Sequence, residues 1–467
     1  MAEPSTDSPL TWPSEVRGRS GHNLRLITAA PLGEGGEGVV FRTDNDQLAV
    51  KILKHTSDTS TEDVAGKLDR LRWLPLDDVP ICRPLEPLAT PHFGYVMELL
   101  HDMVAWRSIS DAPEENIEQW YAEHGGLSRR LLLLARCAEV LCTLHERGIV
   151  YGDVSPGNIL ISSDAAFTEV WLIDADNLQT ESTTAATPLA TPGYAAPELL
   201  RRLSGNTASS DMHSFAVIAY ETLTTNHPLY GDHVLEGPVQ YEADAQYGRI
   251  PWIDHSSDDL NRSTWGFPAT EVTTNGLRDL FTRTFEAGIT DPRARPSAGE
   301  WADALRTAAA RTVRCNACPH TYFAASTECP WCEMKRPAAL VVTVEERFPR
   351  LGEFASVVLP RNELTHVLQQ DVELVIRART THLAPGDPDR PVLSLKWDGG
   401  ETIRVQNLGT SPIRRVPLKG GNGMQFFPGA KATDSATAPW SIHFGNEHRP
   451  HRIVRVRPSS NGGGRAR

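Results

Sequence analysis

The chain has little that would carry it into or across a membrane. Its apolar runs are short, Leu131 to Ala135 being five residues, against about 20 for a helix that crosses a bilayer. Met1 to Leu10 is acidic and has none of the basic, apolar character of a secretory leader. The seven cysteines are an odd number, and four of them crowd together near Cys315, a pattern that argues against a disulfide framework and for metal. No internal repeat and no long low-complexity segment interrupts the chain. With 40% hydrophobic residues over 467 positions there is ample material for packed cores, so fibrous and wholly disordered readings are excluded. At ordinary domain sizes the length predicts more than one domain, and 35 Gly with 34 Pro predict several linkers. These absences together predict a soluble, cytoplasmic protein with no membrane partner.

Charge is divided unevenly. From residue 341 to the end, 18 Lys and Arg face 12 Asp and Glu, a net of +6, which leaves −19 for the first 340 residues out of a total of −13. An acidic body repels nucleic acid, and none is expected as a partner. A net of +6 over so long a stretch reads as an ordinary mixed surface.

Residues 1–20 are rich in Pro, Ser and Thr without hydrophobic periodicity, which predicts a disordered lead-in. Strand-like runs follow at Leu24 to Thr28, Gly38 to Arg42 and Leu48 to Leu53, then a helical stretch from Glu62 to Trp73. Beyond Met97 apolar residues recur at helical spacing, in Ser128 to Arg147, Asp211 to Thr224 and Thr274 to Ala287. Past Leu340 the pattern alternates again, in Val341 to Val344, Val372 to Ala378, Val392 to Trp397 and Ile453 to Val456, with turn pairs Gly399-Gly400 and Gly420-Gly421. Residues 458–467 are expected to be a flexible tail.

Gly33, Gly35 and Gly38 spell Gly-x-Gly-x-x-Gly between two strand-like runs, with Gly36 inside it. Glycines also fill ordinary turns, but here they leave a hairpin backbone free to lie close to phosphates. The next strand carries Lys51 among apolar neighbours, where an ammonium needs an anionic partner unless it points to solvent from a sheet edge. The block from Leu144 to Ile161 contains Tyr151-Gly152-Asp153-Val154-Ser155-Pro156-Gly157-Asn158, and Leu172-Ile173-Asp174-Ala175-Asp176 comes after it.

These elements resemble the catalytic loop and the Asp-Phe-Gly element of the eukaryotic-like protein kinases. By that resemblance Asp153 orients and deprotonates the acceptor hydroxyl, Asn158 and Asp174 hold Mg²⁺, and Lys51 grips the phosphates of ATP beneath Gly33, Gly35, Gly36 and Gly38. Adenine is expected along Met97 to Leu100, against Glu98 and Leu100. Further family landmarks come in order: Ala196-Pro197-Glu198, Asp211 and Arg295-Pro296, with Glu198 and Arg295 forming a buried ion pair. The resemblance covers Leu24 to Ala310. It implies an α+β bilobal kinase fold over 21–310, with a first lobe to about residue 97 and a second from 98, and a protein substrate with a Ser or Thr acceptor.

Departures from the family pattern bear on activity. Tyr151-Gly152 stands for His-Arg, so the arginine that reads a phosphorylated activation segment is missing. Ser155 stands where a lysine usually meets the transferred phosphate. Of the carboxylates that could pair with Lys51, Glu62 is the nearest candidate, and Gly66 occupies an alternative position. With Lys51, Asp153, Asn158 and Asp174 all present, an active enzyme is expected, the alternative being a nucleotide-binding pseudokinase scaffold. Thr180, Ser182, Thr183, Thr184, Thr187 and Thr191 line the activation segment as candidate phosphorylation sites or simple loop residues.

Cys315-x-x-Cys318, ten residues and Cys329-x-x-Cys332 set four thiolates at the spacing of one tetrahedral zinc. Such a closed site is structural, and the alternative is four unligated thiols in a linker. His320 reads as a bystander, and Cys82, Cys137 and Cys142 as buried packing residues. The predicted ribbon spans 313–337. The predicted β-rich module spans 340–457. Its Arg404 to Thr410, Phe427-Pro428-Gly429 and Ile442 to Gly445 resemble in outline the forkhead-associated β-sandwiches, without any binding residue that carries over. A plain sandwich that recruits a protein partner is expected. The whole is therefore read as multidomain: kinase lobes, a zinc ribbon and an all-β, sandwich-like module. In this it is similar to bacterial kinases that accompany stress and tellurium-resistance-type gene clusters.

Overall fold

The computed structural model describes residues 12–35, 38–54, 66, 68–71, 73–181, 190–348, 364–382, 386–417, 423–446 and 449–457. Gly36, Glu62, the hydroxyls of Ser182, Thr183, Thr184 and Thr187, the Gly420-Gly421 pair, the first eleven residues and the tail from Pro458 lie outside the described residues. The chain forms two compact units, one from residues 1–112, 133–267 and 278–302, the other from 113–132, 268–277 and 303–467.

In the first unit, alternation of apolar and polar side chains builds an antiparallel sheet. Its strands are β1 (Glu15–Arg17), β2 (Asn23–Ile27), β3 (Gly33–Glu34), β4 (Gly38–Thr43), β5 (Leu48–Leu53), β6 (Pro84–Pro87) and β7 (Gly94–Glu98), in the order β1-β2-β4-β5-β7-β6 with β3 paired to β4. Val16, Leu24, Leu26, Val39, Phe41, Val50, Ile52, Leu88 and Val96 close one core against it. The expectation of a disordered lead-in fails for its ordered part. β1 pairs with β2 and buries Val16, an anchor of one apolar residue, too short to show as periodicity. Of the helical stretch expected up to Trp73, residues 66 and 68–71 are described and are helical.

Register fixes the neighbours of Lys51. Across β4 and β5, Val40 stands opposite Lys51, and across β5 and β7, Lys51 stands opposite Tyr95. The strands approach so closely here that a Cβ on Gly94, whose φ is +145°, would lie 2.0 Å from the Lys51 carbonyl oxygen. Only glycine fits that position.

The rest of the first unit carries short strands between helices. β8 (Met103–Ala105), β10 (Ile159–Ser162) and β11 (Val170–Leu172) form a sheet in the order β11-β10-β8, and β9 (Ile149–Val150) pairs with β12 (Gln179–Thr180). Three helices of the chain bear on its candidate sites: α1 (Ile117–Glu123), α2 (Gly126–Glu146) and α3 (Ala208–Thr224). Helix α3 begins at Ala208, three residues before the predicted start at Asp211. Thr207 caps it, with Ser210 N donating to Thr207 Oγ1 and Thr207 N donating to Ser210 Oγ. The helix predicted over Thr274 to Ala287 is α-helical at Asn275–Thr282 and widens to a π turn at Arg283–Ala287.

In the second unit, β13 (Thr312–Arg314) and β14 (Thr321–Phe323) form a hairpin whose loop carries Cys315 and Cys318, and Cys329 and Cys332 follow β14. Trp331 stacks on His320 with ring centroids 4.3 Å apart and lies 5.7 Å from the Tyr121 ring on α1. His320, read as a bystander to the four thiols, packs here, and its Nε2 is 3.0 Å from the Glu118 carbonyl oxygen. The β-rich region comes next as β15 (Ala339–Arg347), β16 (Leu364–Gln369), β17 (Glu373–Arg377), β18 (Pro391–Trp397), β19 (Thr402–Asn407), β20 (Ile413–Pro417), β21 (Met424–Phe426), β22 (Lys431–Ser435), β23 (Trp440–His443) and β24 (His451–Arg457). These make a six-stranded sheet, β16-β15-β24-β23-β20-β21, and a four-stranded sheet, β17-β18-β19-β22. Val342, Val344 and Val454 from the first and Leu393, Leu395, Ile403 and Val405 from the second belong to one apolar core. Gln369 ties β16 to the ribbon: its side chain accepts from Arg314 N at 2.8 Å and donates to Arg314 O at 2.9 Å.

Candidate active site

Strand β5 buries Lys51 at 4% exposure, and the ammonium is not left alone. Its Nζ donates to Asp174 Oδ1 at 3.0 Å across 123 positions of sequence, and Asp176 Oδ1 lies 3.6 Å away. Lys51 thus meets carboxylates and does not point to solvent from a sheet edge. Asp174 itself sits in the left-handed region, φ 54°, between β11 and a single 3₁₀ turn at Ala175–Asn177. That conformation is uncommon for a non-glycine residue and marks a constrained site.

Asp153 and Asn158 are held by a loop folded on itself. Asn158 Nδ2 donates to Asp153 Oδ2 at 2.8 Å and to the Asp153 carbonyl at 3.0 Å. With its amide nitrogen committed, Asn158 keeps its side-chain carbonyl oxygen for another partner. Thr191 Oγ1 donates to the other oxygen, Asp153 Oδ1, at 2.7 Å. Both carboxylate oxygens of Asp153 are therefore oriented.

The two departures before Asp153 have structural causes. Tyr151 is fully buried, and its hydroxyl donates to the carbonyls of Asn158, at 3.1 Å, and Ile173, so it bridges the loop to the residue before Asp174. Burial pushes its phenol well above the usual range, with Asp174 and Asp153 adding to the effect, so it stays a donor. Gly152 has φ +88°, and a Cβ there would lie 2.9 Å from Gln179 Nε2 and 3.2 Å from the Asn177 carbonyl. A side chain at this positive φ would be strained, which favours glycine over arginine here. Beneath the loop the buried Asp211 accepts from Tyr151 N at 2.8 Å and Gly152 N at 2.9 Å, and lies 2.9 Å from His145 Nε2. Asn206 Nδ2 donates to the Gly152 carbonyl.

Gly33 pairs with Val40 in the β3–β4 hairpin, Gly35 N donates to the Gly38 carbonyl at 2.9 Å, and a Cβ on Gly38 would lie 2.4 Å from Ile52 O. Glu98 ends β7 with an exposed side chain, and its carbonyl accepts from the Cys82 thiol at 3.4 Å; Leu100 is half-buried beyond it. Burial and then the nearby carboxylates of Glu98 and Asp174 push that thiol up to about 12. Cys137 is buried like Cys82, whereas Cys142 is half-buried, its thiol 3.6 Å from Glu146 Oε1. The predicted ion pair is present and bidentate: Arg295 Nη1 and Nη2 meet Glu198 Oε1 and Oε2 at 2.6 and 2.7 Å.

Tyr95 and Thr191 acquire site contacts that sequence reasoning did not assign to them. No spacing rule links them to Lys51 or Asp153; the β5–β7 register and the return of the activation segment do.

In the second unit, the Sγ atoms of Cys315, Cys318, Cys329 and Cys332 all lie within 4.8 Å of one another. Cys315 and Cys332 are 3.6 Å apart, Cys318 and Cys329 3.7 Å. A disulfide would bring sulfurs to about 2.05 Å, whereas bonds of about 2.3 Å from four sulfurs to one zinc give edges of about 3.8 Å. Burial alone would raise the Cys315 thiol, but the amides of Ala317 and Cys318 and the neighbouring thiols outweigh it and bring it to about 7.

A family model for the protein kinase domain matches residues 27–303. Among curated relatives, the chain is 35% identical over 243 residues to the serine/threonine-protein kinase dkf-2 of Caenorhabditis briggsae, covering 50% of this chain and 19% of that one. It is 27% identical over 305 residues to the serine/threonine-protein kinase pkn2 of Myxococcus xanthus, covering 61% and 32%. To the DNA damage-responsive serine/threonine-protein kinase RqkA of Deinococcus radiodurans it is 27% identical over 220 residues, covering 44% and 31%. The alignments thus span at most about a third of these relatives. The family model spans more than half of the 467 residues, and on that match the chain belongs to the protein kinase family.

Proposed function

We propose that the protein is an ATP- and Mg²⁺-dependent serine/threonine protein kinase whose zinc ribbon and β-rich module regulate it or recruit a protein partner, in the cytoplasm and without nucleic acid. One observation carries the reading: Lys51 reaches Asp174 at 3.0 Å, with Asp153 and Asn158 bonded to each other in the loop before it. The donor set suits a hard cation, because Asp174 offers a partly exposed carboxylate and Asn158 a side-chain carbonyl oxygen with no hydrogen bond among the described residues. Mg²⁺, when bound, supplies neutralising charge to the phosphates of ATP.

The residues of the chain do the rest. Lys51 holds the phosphates from the floor of the cleft, and Gly33, Gly35, Gly36 and Gly38 cover them, with adenine against Glu98 and Leu100. Asp153, fixed by Asn158 and Thr191, accepts the proton of a Ser or Thr hydroxyl at Oδ1 or Oδ2. The phosphate cation absent at Ser155 is expected to lower the rate without abolishing transfer. Cys315, Cys318, Cys329 and Cys332 hold a structural Zn²⁺, and the sandwich beyond it, which resembles forkhead-associated modules in outline, presents a surface to a protein partner.

The test is incubation of the purified chain with γ-labelled ATP, Mg²⁺ and a general acceptor protein, beside Lys51→Met and Asp153→Ala. Wild type should incorporate label and both variants should lose at least about a hundredfold, on the order of 3 kcal/mol of transition-state stabilisation. A wild-type chain that binds nucleotide but transfers no phosphate would establish the scaffold reading instead.

A further inference from the structure

The second carboxylate of Asp174-Ala175-Asp176 stands at the position where the family's three-residue element has glycine. A glycine there has no side chain to offer. Asp176 is 6% exposed, and a carboxylate so buried requires partners. Two are in place. Tyr95 donates its hydroxyl to Asp176 Oδ1 at 3.3 Å, and Lys51 Nζ lies 3.6 Å from the same oxygen. Tyr95 is the residue opposite Lys51 in the β5–β7 register, and the ammonium lies 5.8 Å from the centre of its ring. The phenol is 2% exposed and, by burial and then by Asp176 and Asp174, is pushed well above its ordinary range, so it stays protonated and donates.

We infer that Asp176, oriented by Tyr95, is a positioning residue that holds the Lys51 ammonium in place for the nucleotide phosphates; this rests on the kinase reading. Among the described residues, the two carboxylates near Lys51 differ in a way that assigns their tasks. The Asp174 side chain is 28% exposed, open to a metal and phosphates that compete for it, whereas Asp176 is walled in at 7%. When Lys51 turns from Asp174 to an incoming phosphate, Asp176 keeps a negative charge behind it. The anchor belongs to the same short segment as Asp174, so the segment that brings the metal ligand into place also brings the lysine's counter-charge. Positioning of Lys51 is then coupled to that segment, whatever other contacts the lysine makes.

The experiment compares Asp176→Asn, Tyr95→Phe and Lys51→Met in the full-length chain. The isosteric Asn still accepts from Tyr95 but removes the charge that faces Lys51. Expected for Asp176→Asn is a rise of about tenfold or more in KM for ATP and in Kd for Mg²⁺-ADP by direct titration. KM for the protein acceptor should be unchanged, and kcat should be within about threefold of wild type. Tyr95→Phe should move the same two constants in the same direction by about two- to fourfold, which keeps the inference testable should Asp176→Asn fold poorly. A merely structural role would lower the unfolding temperature or the active fraction without moving the nucleotide constants. That outcome, or unchanged nucleotide constants in both variants while Lys51→Met loses them, overturns the inference and leaves the kinase reading standing. Wild-type nucleotide affinity and turnover in Lys51→Met would overturn the kinase reading itself, and the role of Asp176 with it.

Discussion

Thr191 gives its hydroxyl hydrogen to Asp153 Oδ1 at 2.7 Å. The described part of the segment before Ala196-Pro197-Glu198 thus meets the loop of Asp153 through a neutral hydroxyl. Gly152, which replaces the arginine, leaves room for Gln179 and the Asn177 carbonyl. The acceptor of the Thr191 hydrogen bond is a carboxylate, and such bonds contribute about 1.5–3 kcal/mol.

Thr191→Ala should therefore lower kcat by roughly ten- to a hundredfold, with KM for ATP little changed, and Thr191→Ser should restore most of the loss. Thr180, exposed on β12 where it pairs with Ile149 through backbone alone, is the control. Its replacement by Ala should leave turnover near wild type. Equal losses at both positions in steady-state kinetics would refute the special role of Thr191.

Much of the site was legible through the resemblance of its motifs to those of the protein kinases. Lys51, Asp153, Asn158 and Asp174 could be picked out singly, and the structure brings them into two contacts, Lys51 with Asp174 and Asp153 with Asn158. Glu198 and Arg295, 97 positions apart, could be paired only through the resemblance to the kinase family, and they meet in a bidentate contact. Glu62, named as a candidate partner of Lys51, lies outside the described residues, and spacing alone cannot reveal the partners that strand register supplies. Register is what sets Tyr95 beside Lys51 and lets Asp176 reach both. Gly152 read as the loss of a charge, whereas its positive φ shows a backbone requirement that composition does not display. β1 was missed because one buried Val16 between two exposed residues carries no period.

Metal content tests the second unit. Elemental analysis should find about one zinc per chain, and Cys315→Ser with Cys318→Ser should lose it. The hairpin of β13 and β14 then loses the centre about which Trp331, His320 and Tyr121 pack, so limited proteolysis should cut within 313–337 at least about tenfold faster. A four-sulfur site has no open position for chemistry, so phosphate incorporation should stay within about threefold of wild type. A metal-free wild-type protein with the same cleavage pattern as the variant would contradict this assignment.

Glu221 on α3 gives a prediction whose sign is set by linkage. Its Oε2 accepts from the Tyr194 hydroxyl at 2.9 Å. Burial raises its carboxyl from 4.5 to about 7, the Tyr194 bond pulls it back, Asp111 adds to the rise and Arg107 opposes it. A carboxyl raised on folding means that the native state binds the proton more tightly than the unfolded chain. Its contribution to stability is then complete below about 4.5 and is lost as the pH climbs through about 7. The loss is on the order of 1–3 kcal/mol at pH 8. Glu221→Gln keeps an acceptor for Tyr194 and removes the proton equilibrium. The urea midpoint of this variant should exceed that of wild type at pH 8, and the difference should shrink towards zero or reverse at pH 5. A midpoint difference between the two proteins that stays constant from pH 5 to pH 8 would show that Glu221 titrates as an ordinary carboxylate in the folded protein. The docking of Tyr194 would then owe nothing to a shared proton.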